Sequence, residues 1–73
     1  MIRDKLIRAL RKKYEADMEA ALATIDIYLA NSIGIGEHPQ HIQEIDKLLS
    51  SYCGAKEKLE SLIRHYDDKE IPF

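Results

Sequence analysis

The residues best suited to chemistry are two imidazoles three apart, His38 and His41, with the carboxylates Glu37 and Glu44 beside them. On a helix this spacing places both rings on one face, where they could ligate a metal ion. A di-metal centre in a helical bundle also needs a Glu followed three residues later by a His on two helices, plus further inward carboxylates. That set is absent here, so the pair reads as a polar helix start, and no metal or other cofactor is expected. Cys53 is the only thiol. It has no His beside it in register and it adjoins Gly54, so nothing prepares it as a nucleophile. The GIG at 34–36 lacks the preceding strand and following lysine of a phosphate-cradling loop and suits a chain reversal instead. His65, near the end of the second helical stretch, complements the negative end of a helix dipole. No enzymatic activity is expected from these residues.

Charge offers the other functional lead. Residues 1–13 carry six Lys and Arg against one acid, Asp4, while the remainder carries five against twelve acids. Phosphate backbones are held by clustered basic residues, so Arg8, Arg11 and Lys12 are candidate nucleic-acid contacts, in the manner of small dimeric hairpins that grip RNA by charge and shape. Together with Arg3, Lys5 and Lys13, however, these basic residues are spread around a helix rather than forming one stripe. An antiparallel fold would also bring Asp67, Asp68 and Glu70 beside it, so mutual neutralisation at the hairpin mouth accounts for both groups. Transient attachment of this basic, amphipathic segment to anionic membranes is a third reading.

These side chains are positioned by two long helices. No Gly or Pro interrupts residues 2–33, and Ala, Leu, Arg, Lys and Glu dominate them, which predicts a first helix over about 2–33. A turn follows over 34–38, where Gly34 can close the helix with a left-handed cap and Pro39 fits the first turn of the next. The second helix is expected over about 39–66. Ile45, Tyr52, Leu59 and Tyr66 recur every seven, as do Ile42, Leu49 and Ile63, with Leu48, Ala55 and Leu62 widening the stripe and Gly54 on the outer face. Residues 67–73 form a tail ending Ile71, Pro72, Phe73, an apolar tip for the bundle end or for a partner. Asp17 and Thr24 fall beside the apolar face of the first helix, on a flank that is exposed or sets register through a buried polar contact.

Projected at 100° per residue, the first helix is apolar on opposite sides. One side holds Ile7, Leu10, Tyr14, Met18, Ala21, Leu22, Ile25, Tyr28 and Leu29 and is expected to pack on the second helix, with Leu29 near Ile42, Leu22 near Leu49, and Leu10 near Leu59 and Leu62. The other holds Ala16, Ala20, Ala23, Ile27 and Ala30, with Ala9 above them. Small side chains let helices approach closely, so this stripe is the candidate self-association face. Alanine's high helix propensity, with the face solvated, is the alternative explanation. The expected fold is therefore all-α, an antiparallel two-helix hairpin forming a single domain and dimerising into a four-helix bundle with two-fold symmetry.

Length points the same way. A chain of 73 residues rarely gains more than about 3–5 kcal/mol from a private core, and one cysteine excludes an internal disulfide framework. With 45% hydrophobic and 33% charged residues and no Trp, the composition is that of a helix-rich folded chain, without a run of about 18 apolar residues to span a membrane. The basic N-terminal segment lacks the apolar core of a secretory signal and reads as mature protein, and one free thiol suits a reducing cytoplasm.

The stretch IDIY at 25–28, the turn IGIGEHP and the following IQEIDKLL and AKEKLESL resemble, over most of the chain, small helical-hairpin proteins encoded by tailed phages of marine bacteria. The turn is the distinctive part. The resemblance implies an accessory protein acting in the host cytoplasm through protein contacts, and it carries over no catalytic residue.

Overall fold

The computed structural model describes residues 2–31 and 40–66, which form two α-helices: α1, Ile2–Asn31, and α2, Gln40–His65. The described part of α1 contains neither Gly nor Pro, and thirty residues at 1.5 Å each make a rod about 45 Å long. α2 closes with Arg64 and His65 in its last turn, where cations complement the helix dipole, and the Tyr66 amide donates to the Leu62 carbonyl at 2.9 Å. The residues expected in the turn, Gly34 to His38, the helix start at Pro39, and the acidic and apolar tail 67–73 lie outside the described residues.

The helices pack along their length as an antiparallel hairpin, 52 × 18 × 15 Å overall. Three contacts fix the register. Near the turn, the Tyr28 ring meets His41 edge-on, with centroids 5.7 Å apart. Midway, the Lys58 ammonium lies 5.9 Å from the centre of the Tyr14 ring. At the open end, Arg3 Nη2 donates to the Tyr66 carbonyl at 2.9 Å. Each step up α1 is thus a step down α2. The expectation of an all-α antiparallel hairpin is what the structure shows.

The seam differs from the expected one. On α1 the buried or half-buried residues are Ile7, Arg11, Tyr14, Met18, Ala21, Ile25 and Tyr28, spaced alternately four and three apart, with only Thr24 added beside them. On α2 they are His41, Ile45, Leu48, Tyr52, Ala55, Leu59 and Leu62 at the same spacing, with Glu44, Gly54 and Ile63 at the edges. Leu48, Ala55 and Leu62 are therefore the centre of the α2 stripe rather than its widening. Leu10, Leu22 and Leu29, expected inside, are exposed, as are Ile42 and Leu49. For Leu29 the reason is supercoiling. Two helices that stay in contact over many turns follow a 3.5-residue repeat, which drifts about 20° per heptad from a straight helix. Over the three heptads from Ile7 to Leu29 that drift carries Leu29 off the contact line and onto its flank.

The register sets large residues level with small ones: Tyr14 with Ala55, Ala21 with Leu48. Tyr14, Ala21, Leu48 and Ala55 border one groove between the helices. Such alternation lets two helices interdigitate without voids. Arg11 occupies a seam position half-buried, the pattern of a long apolar stem laid along the interface with its charged head at the edge. Even so, the hairpin encloses little: the buried apolar residues are Ala21, Ile25, Ala55 and Leu62.

Candidate interaction surface

Four longitudinal surfaces surround the seam. On the back of α1, Ala16, Ala20, Ala23, Ile27 and Ala30 are all exposed, as expected of a stripe opposite the contact line. This is the candidate self-association face, brought into one row by the helix.

One flank is polar. Asp17, Thr24, Ser51 and Lys58 line an open groove of about 460 Å³ there, with Tyr14, Ala21 and Ala55 at its floor. Asp17 is exposed and pairs with Lys13 one turn earlier at 3.0 Å, while the Thr24 hydroxyl donates to the Ala20 carbonyl at 2.8 Å. Both bonds stay within α1, so neither residue sets register across the seam. Gly54 also borders this groove, not the outer face, and a Cβ built on it would meet nothing within 4 Å. Towards the open end a second groove, of about 610 Å³, is bordered by Leu10, Tyr14, Lys58, Leu62, His65 and Tyr66.

The other flank is apolar. Leu22 (45% exposed) and Leu29 (58%) lie on it from α1, and Ile42 (74%) and Leu49 (46%) from α2. The register puts Leu29 level with Ile42 and Leu22 level with Leu49, so the four form two rungs across the hairpin near the turn. Below them a groove of about 430 Å³ runs past Met18, Leu22, Tyr52 and Leu59, with Glu15 and Glu19 on its edge. Glu15 is level with Lys56 there. Sequence reasoning placed these leucines inside. Their position was signalled by the strict four-three spacing of Ile7, Arg11, Tyr14, Met18, Ala21, Ile25 and Tyr28, which includes none of them.

Among the described residues, those singled out for chemistry are not assembled into a site. His41 packs against Tyr28, and His38 and Glu37 lie outside the described residues. Among the described residues no group of three or more His, Cys, Asp or Glu is placed to hold a metal ion. Cys53 is exposed on the outer side of α2. Of the candidate nucleic-acid contacts, Arg11 enters the seam half-buried, while Arg8 and Lys12, one turn apart, are exposed on one side of α1. No helix among the described residues is long and apolar enough to cross a membrane.

In comparisons with protein-family models, curated proteins and solved structures, no match to this chain was found.

Proposed function

We propose that this chain is a non-enzymatic helical module that works by self-association and protein–protein contact. The observation that carries the reading is the imbalance between what the hairpin buries and what it leaves out. Among the described residues the buried apolar ones are two alanines, one isoleucine and one leucine, whereas seven leucines and isoleucines besides Ile2 and Tyr66 are exposed. Two helices cannot enclose a core, and for a short chain with a single cysteine and no metal cluster among its described residues the remedy is association. The elongation agrees: the radius of gyration is 16.0 Å, against about 11 Å for a compact domain of this length.

Two surfaces are available for association, the alanine stripe Ala16 to Ala30 and the leucine flank. The single exposed thiol suits a reducing cytoplasm, and the resemblance to phage hairpin proteins supports an accessory role in an infected host. The experiment is a mass measurement by sedimentation equilibrium from about 1 to 100 µM, a range that brackets typical weak and moderate self-association. The expected result is a species of twice the chain mass that dissociates on dilution. A single-chain mass throughout, with full helicity, would refute the proposal.

A further inference from the structure

We infer that the leucine flank, not the alanine stripe, is the contact surface, and that it takes a second copy of this chain with the two-fold axis running along the hairpin. This rests on the self-association proposed above and specifies its geometry. The first ground is continuity. Leu22, Leu29, Ile42 and Leu49 adjoin the half-buried Met18, Ile45, Tyr52 and Leu59, so covering them would extend the existing core rather than found a separate one.

The second ground is area. The structure exposes 5803 Å², whereas a compact monomer of 8.4 kDa exposes about 4,600 Å². The excess of roughly 1,200 Å² is more than the approximately 800 Å² that each partner buries in an interface of standard size.

The third ground is self-complementarity. A half-turn about the long axis lays α1 of one copy on α2 of the other while keeping every residue at its own level. Leu22 then faces Leu49 of the partner subunit, Leu29 faces Ile42 of the partner subunit, and Glu15 faces Lys56 of the partner subunit. At the margin, Lys12 faces Glu60 of the partner subunit. One marginal rung, Asp26 with Asp46 of the partner subunit, sets like charges together. Each helix becomes antiparallel to both neighbours, which suits their dipoles. An axis perpendicular to the hairpin would overlap only the turn halves and leave Glu15 and Lys56 without their counterparts. The acidic border of Glu15, Glu19, Asp26 and Asp46 also opposes an anionic bilayer as the occupant. The alanines stay on the outside of the bundle, chosen for helix propensity.

The test measures dimer affinity of the full chain and three sets of variants, with helicity followed by circular dichroism. Leu22→Glu and Leu49→Glu should each raise the dissociation constant at least about 100-fold, because an isologous contact loses the side chain twice. Ala23→Glu should leave it within about three-fold, as a solvated helix face tolerates a charge. Mixing the Glu15→Lys variant with the Lys56→Glu variant should yield mixed dimers, read by native mass spectrometry, in preference to either homodimer. Only the intermolecular pairing of these rungs produces that preference, and neither substitution touches the apolar core. A dimer that survives Leu49→Glu but dissociates with Ala23→Glu overturns the leucine flank and leaves self-association standing. Random mixing overturns the axis. A wild-type monomer overturns both readings together.

Discussion

Tyr28 and His41 face each other edge-on across the end of the seam nearest the turn, 5.7 Å between centroids and 70° between planes. They are the seam's last described layer before the chain reverses, and both rings are half-buried. An edge-to-face pair adds about 0.5–1.5 kcal/mol beyond the area it buries. A double-mutant cycle with Tyr28→Leu and His41→Leu, read by urea denaturation, should return a coupling of roughly 0.5–1 kcal/mol. Zero coupling would mean that the rings are neighbours without being partners.

Gly54 sits in the interior of α2 with open space where a Cβ would be. Glycine in a helix interior costs about 0.5–1 kcal/mol relative to alanine, through the backbone freedom it loses on folding. Gly54→Ala should therefore stabilise the protein by that amount and raise its melting temperature by about 2–8 °C for a chain of this size. One residue on, Ala55 is 6% exposed and level with the Tyr14 ring. Ala55→Leu should cost about 1–3 kcal/mol by overpacking. Adjacent substitutions that both enlarge a side chain are thus expected to move thermal stability in opposite directions. Equal effects would contradict the placement of the seam.

The basic residues of α1 give a negative prediction. Arg8 and Lys12 lie one turn apart on one side of α1, but Arg11 between them is partly withdrawn into the seam, which leaves only two of the three cations fully exposed. Arg3 is also engaged, donating to the Tyr66 carbonyl and lying 3.7 Å from Asp4. A phosphate backbone needs several cations on one side, each adding to the steepness with which binding falls as salt rises. Gel-shift assays with duplex RNA and DNA at about 50 mM salt should show no retention. Retention that weakens steeply with salt and vanishes in an Arg8/Arg11/Lys12→Ala variant would favour the nucleic-acid reading instead.

Two helices and their antiparallel course were legible because glycine and proline are confined to residues 34–39 apart from Gly54 and Pro72, leaving uninterrupted helix formers on either side. Which apolar residues face inward was legible only in part. A straight-helix projection groups Ile7 with Leu29, but a helix wound around its neighbour parts them, and the winding is a property of the pair. Gly54 was misplaced for a different reason: the seven-residue recurrence on α2 is shared by Ile42 and Leu49 and by Leu48 and Ala55, and taking the first pair as the seam puts Gly54 on the outer face instead of at the border of the groove. The alanine row on the back of α1 survives the winding because it lies farthest from the contact line. Arg11 shows the remaining limit: a charge at a seam position is invisible to hydrophobic patterning, yet its stem can fill the interface.

The geometry inferred for the dimer contains one avoidable fault. With α1 of one copy lying on α2 of the other, Asp26 meets Asp46 of the partner subunit, and the two-fold repeats the clash. Both side chains are exposed, so each repulsion is screened and small, of the order of 0.2–1 kcal/mol. Reversing one sign removes two repulsions and creates two attractions. Asp46→Lys should thus tighten the dimer about three- to ten-fold at low ionic strength, with the gain shrinking as salt approaches 1 M, where charges are screened within about 3 Å. The same substitution should leave dimer affinity unchanged in an Asp26→Asn background, because its partner is then neutral. Tightening that persists without Asp26 would show that Asp46 faces some other acid, and that the copies meet in a different register.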